Sequence, residues 1–172
     1  MCAHYDNESQ LTALGRLHQL FQRQGIDYWV FGGWAVDLHA GRLTRPHADI
    51  DVAVWMNDFD RIDEMLGHAG WRHTPQADED GYTQYVHDGA RLDLAFLARD
   101  NDGGVYTPIE NGRGDWPLGA FGDDVATLLG VCAHVVSLPA LLSDKLEVRT
   151  DPSTRAKDRL DVAVLVRIHQ GP

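Results

Sequence analysis

Apolar residues recur at helical spacing near the start of the chain. In SQLTALGRLHQLFQRQG (9–25), Leu11, Leu14, Leu17, Leu20 and Phe21 fall three and four apart between Ser9 and Gly25, which predicts an amphipathic helix with a serine start and a glycine stop. The period then changes. DYWVF (27–31) reads as a strand closed by Gly32 and Gly33, and WAVDLHAG (34–41) as a two-turn helix ended by Gly41. DIDVAVW (49–55) alternates polar and apolar, the mark of a half-buried strand. NDFDRIDEMLGHAG (57–70) returns to helix spacing, with Phe59, Ile62, Met65 and Leu66 on one face behind an Asn or Asp cap.

YTQYVHDGARLDLAFLARD (82–100) predicts two alternating strands joined through His87-Asp88-Gly89-Ala90, with Asp-Gly as the hairpin signal. Residues 100–124 hold six glycines and two prolines and read as loop with short strand pieces. After them the character is helical again. SLPALLSDKLEVRT (137–150) and STRAKDRLDVAVLVRIHQ (153–170) carry serine caps at 137 and near 153, with Pro152 breaking the pair. The expected fold class is α/β (α+β): a mixed β-sheet flanked by helices in residues 1–100, then a loop and a small C-terminal helical lobe in 101–172.

Composition narrows the partners. A chain of 172 residues, 44% apolar with five Trp, is enough for one ordinary core. The formal charge of −11 comes from 15 Lys and Arg against 26 Asp and Glu. It repels a phosphate backbone at long range, so nucleic acid ranks low and a cationic small molecule ranks high. Cys2 and Cys132 match no metal-ligand spacing; Cys132 reads as a buried free thiol and Cys2 as inconsequential. MCAHYDNESQ has no signal-peptide pattern and no apolar run approaches the roughly 20 residues of a membrane span. A soluble, cytoplasmic protein with no membrane partner is expected.

The chemistry starts from a strand that ought not to carry acids. Asp49 and Asp51 share one face, about 6.6 Å apart along an extended strand, while Ile50, Val52 and Val54 take the other. Two like charges there repel unless a cation lies between them, and hard divalent ions take oxygen ligands. In RLDLAFL (91–97), Leu92, Leu94 and Phe96 form an apolar face and Arg91 and Asp93 the opposite one, so a second strand presents a carboxylate. Gly32-Gly33 at a strand end before a helix brings backbone N–H groups toward negative charge. Three carboxylates beside such a turn suit two Mg²⁺ ions on a nucleoside triphosphate.

GGWAVDLHAGRLTRPHADIDV (32–52), with the acid in RLDLAFL and the later RAKDRLD (155–161), resembles the small antibiotic nucleotidyltransferases. The likeness is greatest to the aminoglycoside 2″-adenylyltransferase-like group, with the lincosamide nucleotidyltransferases near it, in the DNA polymerase β-like superfamily. It runs from about residue 10 to about 167. The resemblance implies transfer of a nucleoside monophosphate from Mg²⁺-bound ATP or GTP to a hydroxyl, with release of pyrophosphate. It makes Asp49 and Asp51 the metal pair and Asp93 a third ligand that also serves as general base. Gly32 and Gly33 match the phosphate-contacting glycines. The wider superfamily has Ser after the glycine pair; Trp34 stands here, as is common in the antibiotic-modifying subgroup.

Arg45 and His47 precede the acidic strand, within reach of a triphosphate, and Asp37 is placed to hold Arg45 as a bidentate pair. Lys145 reads as a surface lysine from its helix and as a phosphate contact from the resemblance. Lys157 and Asp161 are four apart, an i,i+4 pair, in a helix that the resemblance makes support for the site floor. Acids at Asp78, Glu79, Asp80, Asp100, Asp102, Glu110, Asp115, Asp123 and Asp124 form a rim attractive to a polycation, and Tyr82, Tyr85, Tyr106 and Trp116 are suited to stacking on sugars or to core packing. The expected function is nucleotidyl transfer to a small-molecule hydroxyl, an aminoglycoside or lincosamide. The alternatives are a toxin–antitoxin-type nucleotidyltransferase acting on protein or RNA, and a non-catalytic nucleotide-binding module.

Overall fold

A computed structural model describes residues 6–171, so Cys2 lies outside the described residues. Helix α1 (Asn7–Gln24) starts two residues earlier than the serine signal, because the Asp6 carboxylate caps it by accepting the Ser9 N–H. It ends on Gly25 in the left-handed conformation. Leu14, Leu17 and Phe21, the face expected from the spacing, are fully buried.

Strand β1 (Tyr28–Phe31) runs directly into α2 (Gly32–Ala40), so the glycine pair is the helix's first turn rather than a loop before it. Strand β2 (Ile50–Trp55) begins one residue after Asp49. A 3₁₀ turn over Met56–Asp58 then leads into α3 (Phe59–His68), whose Asp58 makes no side-chain cap bond. The short β3 (Arg72–His73) was not signalled by any alternation. Strands β4 (Tyr82–His87) and β5 (Ala90–Arg99) form the expected hairpin, with Asp88 (φ 40°) and Gly89 (φ 75°) both left-handed, as a tight two-residue turn requires.

The stretch read as loop with short strand pieces holds two such strands, and they extend the sheet. Strands β6 (Val105–Ile109) and β7 (Gly112–Asp115) form a hairpin whose first strand pairs with the end of β5. The seven-stranded sheet has the order β1-β2-β5-β4-β3, with β6 and β7 attached through β5. It is mixed, since β2 and β5 are parallel and the other pairs antiparallel. A separate hairpin, β8 (Val125–Leu128) and β9 (Val131–His134), lies against α1 and β1. Cys132 on β9 is a free thiol but half-buried, not buried.

The chain closes with α4 (Leu138–Leu146) and α5 (Pro152–Gln170). Ser137 makes no side-chain cap bond. Asp151 caps α5 in place of the serine near 153, by accepting the Thr154 N–H, and Pro152 is the first residue of α5 rather than a break outside it. At that position the absent N–H costs no helix bond. The core lies between α1, α2 and one sheet face, with Trp34, Val36, Ile50, Val52, Leu92 and Leu94 fully buried. Among the described residues no helix is long and apolar enough to cross a membrane.

Candidate active site

The parallel pairing of β2 with β5 sets Asp51 directly beside Asp93, and Phe31 of β1 is Asp51's partner on the other side. Asp49 stands just before β2, opposite the start of β5. The three acids therefore share one face of the two central strands, as the alternation predicts. Burial, then the neighbouring charges of Asp49 and Asp93, pushes the Asp51 carboxyl well above the ordinary carboxylate range, against the pull of Lys145 and Arg91. Asp93 is also raised, by burial and by Asp49, with Arg91 and Gln84 acting the other way.

The positive charge within this group is Arg91. Its Nη2 donates to Asp49 Oδ2 and, at 3.2 Å, to Asp93 Oδ2, while Gln84 Nε2 donates to Asp93 Oδ1 at 3.1 Å. Among the described residues no three His, Cys, Asp or Glu side chains stand grouped to hold a metal ion. The donor set nevertheless fits a hard divalent cation: oxygen only, from three carboxylates, one of them the buried Asp51.

Gly32 has φ 63°, and a Cβ there would overlap the Asp51 carboxylate, reaching within 2.9 Å of Cγ. Only glycine lets the N-terminus of α2 come this close to the acid. The cap position of α2 is Phe31, which offers no side-chain acceptor, so the first N–H groups of the helix are not capped by a side chain. The space beside Gly33 is taken by Arg45 Nη2 and His47 Nδ1, each 2.5 Å from where a Cβ would sit.

Arg45 does not pair with Asp37. Its Nε and Nη2 donate to the two oxygens of Asp161 at 2.9 Å each, a bidentate grip reaching from the loop before β2 to α5. Asp37, fully buried, instead accepts from the Thr44 N–H and hydroxyl and from His47 Nε2 at 2.6 Å. Arg45 Nη1 donates to His47 Nδ1 at 3.1 Å, which leaves the ring's N–H on Nε2 to donate to Asp37. His47 is thus a buried brace, and its spacing of ten residues from Asp37 carries no pattern visible in a sequence.

Lys145 is not a surface lysine. It is 9% exposed, with Nζ 2.9 Å from Asp158 Oδ1 and 3.1 Å from Asp161 Oδ2. Burial lowers the pKa of this ammonium, but the two aspartates outweigh it and the net shift is upward. Burial likewise raises the Asp161 carboxyl, and Arg45 and Lys145 reverse the sign, so it lies below the ordinary range. The expected Lys157–Asp161 pair is absent among the described contacts; Lys157 is exposed, and Asp161 is committed to Arg45 and Lys145.

Part of the acidic rim is structural. Glu79 accepts from the Gln76 and Gln84 backbone and from Thr83, Asp80 from the Glu110 N–H, and Asp100 from the Asp102 and Gly104 N–H groups and from Arg113. Tyr85 is core, its hydroxyl donating to Asp63 at 2.7 Å. Trp116 stands edge-on to Phe31 at 5.4 Å and lines a cleft of about 580 Å³ between the β6–β7 hairpin and α4. Asp115, Asp144 and Glu147 line the same cleft, and each is paired with an arginine beside it, Asp115 with Arg113 at 2.8 Å and Asp144 and Glu147 with Arg149 at 2.6 and 3.6 Å.

The path of the chain and the carboxylate face define a protein of the nucleotidyltransferase fold. The crystal structure of the lincosamide antibiotic adenylyltransferase LnuA with lincomycin bound superposes with a TM-score of 0.72 at 21% identity, covering 91% of this chain and 96% of that one. The solution structure of the antibiotic-resistance factor ANT(2″)-Ia superposes at 0.67 with 19% identity, covering 90% and 83%. The chain belongs to the aminoglycoside-2″-adenylyltransferase family, whose profile matches residues 13–139. It is 34% identical over 62 residues to a 2″-aminoglycoside nucleotidyltransferase of Escherichia coli, a match covering 34% of this chain and 35% of that protein. A lincosamide resistance protein of Staphylococcus haemolyticus is 44% identical over 53 residues, 31% of this chain and 33% of that protein. The matched stretch thus spans about a third of these curated relatives.

Proposed function

We propose that the protein is an antibiotic nucleotidyltransferase, moving a nucleoside monophosphate from ATP or GTP to a hydroxyl of an aminoglycoside or lincosamide and releasing pyrophosphate. The observation that carries this reading is the register of β2 and β5, which sets Asp51 beside Asp93 at the glycine turn opening α2. Family membership supports it. In this reading Asp49 and Asp51 would hold Mg²⁺, as two ions, and Asp93 would complete one of the sites. When bound, the metal neutralises the triphosphate and polarises the phosphorus under attack.

The chain's own residues supply the rest. Gly32 and Gly33 bring the first N–H groups of α2 to the phosphates. Asp93 takes the proton of the acceptor hydroxyl as its oxygen bonds to the α-phosphorus and the bond to pyrophosphate breaks. A carboxyl raised above its usual range is the better proton acceptor for that step. Arg45 and Lys145, tied to Asp161, serve as the cationic side of the phosphate site. Residues 1–100 then carry the transfer chemistry and 101–172 much of the acceptor side.

The cleft under Trp116 is the place for the acceptor in this reading. Its volume is within the ordinary range of small-molecule sites, and Trp116 touches Phe31, the strand partner of Asp51. The test is mass spectrometry of an aminoglycoside and a lincosamide after incubation with Mg²⁺ and ATP or GTP. The expected product carries one added nucleoside monophosphate on one antibiotic class. An unmodified panel, with nucleotide bound, would contradict the proposal.

A further inference from the structure

Arg91 supplies a charge for which the transfer chemistry has no evident need. It lies two residues before Asp93 on β5, on the carboxylate face, and one nitrogen, Nη2, serves both Asp49 and Asp93. Its Nε is buried with no hydrogen-bond partner among the described residues. A guanidinium has five N–H donors and grips a carboxylate best with two in parallel. Arg45 does this on Asp161, with both contacts at 2.9 Å. Arg91 is held by charge more than by fit.

Two further cations act on the site, Lys145 on Asp51 and Arg45 on Asp49. Lys145 is enclosed and bound to two aspartates, and Arg45 is gripped by Asp161, whereas the Arg91 side chain is 29% exposed. Of the three, Arg91 is the one free to leave. We propose that Arg91 is the resident counter-ion of the carboxylate site: it neutralises Asp49 and Asp93 in the nucleotide-free protein, and a divalent cation must displace it to bind.

Two consequences follow from charge alone. The carboxylates are never left bare, so the empty site is not opened by mutual repulsion. A divalent ion arriving without nucleotide meets a competitor already in place. One arriving with a triphosphate brings anionic oxygens that accept the displaced guanidinium, so metal and nucleotide bind cooperatively. Arg91 is thus a positioning residue that makes metal affinity depend on nucleotide. The inference rests on the nucleotidyl-transfer reading of the three aspartates.

The test is Mn²⁺ titration of the nucleotide-free protein, read from the loss of the free-ion paramagnetic resonance signal, for wild type, Arg91→Met and Arg91→Lys. Removing the competing charge is expected to tighten Mn²⁺ binding at least about tenfold in Arg91→Met. Arg91→Lys, which keeps a charge without the fork, is expected to show a smaller gain and stands in if the methionine variant does not fold. A non-hydrolysable ATP analogue should tighten Mn²⁺ binding to wild type more than to Arg91→Met. Equal or weaker Mn²⁺ binding in both variants would overturn the proposal, since an arginine that only props the carboxylates apart gives that result. Asp93→Asn added to Arg91→Met should remove the gain. Persistence of the gain would instead show that the aspartates are not the metal's ligands, and would count against the functional reading itself.

Discussion

At the scale of single residues, the site balances under-compensated acids against one glycine. Asp51 and Asp93 have carboxyls raised by burial and by the neighbouring Asp49 charge. A native group with a raised pKa binds more protons than the unfolded chain between the two values, so metal-free stability falls as pH rises from the ordinary carboxylate value, near 3.8, through the folded one. Asp51→Asn should therefore raise the thermal midpoint of the protein in chelator at neutral pH while abolishing turnover; a lowered midpoint would count against this. Asp93→Asn should cut turnover by about 10²–10⁴-fold with the circular-dichroism spectrum unchanged. Gly32→Ala forces a side chain into the left-handed region and onto Asp51, and should cost at least about 1 kcal/mol in urea denaturation together with loss of nucleotide binding.

These acids were legible in the sequence because strand alternation has a fixed period of two, and a charged residue on a β-branched strand breaks the pattern visibly. Arg91 was legible as a position on that face but not as a partner, because which cation reaches Asp49 depends on the lateral register of β2 and β5. Asp37, His47 and Asp161 illustrate the same boundary. The bond between Arg45 and Asp161 joins residues 116 apart, and a nearer acid, Asp37, was the plausible partner until the fold committed it to His47 and Thr44.

At the scale of elements, α5 is fastened to the sheet lobe through charge. Asp161 on α5 takes Arg45 from the loop before β2 and Lys145 from α4, all with little solvent access. Removing Asp161 strands the buried Arg45 and leaves Lys145 with Asp158 alone. Asp161→Ala should cost about 3–5 kcal/mol by urea denaturation, far more than a surface pair. Because the Asp161 carboxyl lies below its ordinary value, its contribution is complete above that value and is lost as pH falls through the lowered one. Acid unfolding of Asp161→Asn should accordingly show a shallower loss of stability than wild type. A steeper loss would place the acid-sensitive contact elsewhere.

Helix and hairpin signals served well where a cap or turn is local, as at Gly25, Gly41 and Asp88-Gly89. They failed where tertiary pairing decides. Strands β6 and β7 sit in a glycine- and proline-rich stretch and exist because β5 offers an open edge beyond its pairing with β4. Strands β8 and β9 are apolar at most positions, and such runs carry no period that separates strand from helix.

At the scale of the whole molecule, the sheet supplies the carboxylates, α2 an N-terminus beside them, and α4 with the β6–β7 hairpin a cleft edged with acid. The net charge of −11 adds a long-range pull on a cationic acceptor. Turnover of an aminoglycoside should thus lose kcat/KM as salt rises, more than turnover of a less charged lincosamide; equal salt dependence would remove this argument for a cationic acceptor.

The central claim is that the three aspartates catalyse nucleotidyl transfer to an antibiotic hydroxyl. It is tested most directly by pyrophosphate release with Mg²⁺ and ATP or GTP, across aminoglycosides and lincosamides, for wild type beside Asp93→Asn. The account predicts release that requires one antibiotic class and disappears in the variant. Release independent of any antibiotic, or undiminished in Asp93→Asn, would contradict it.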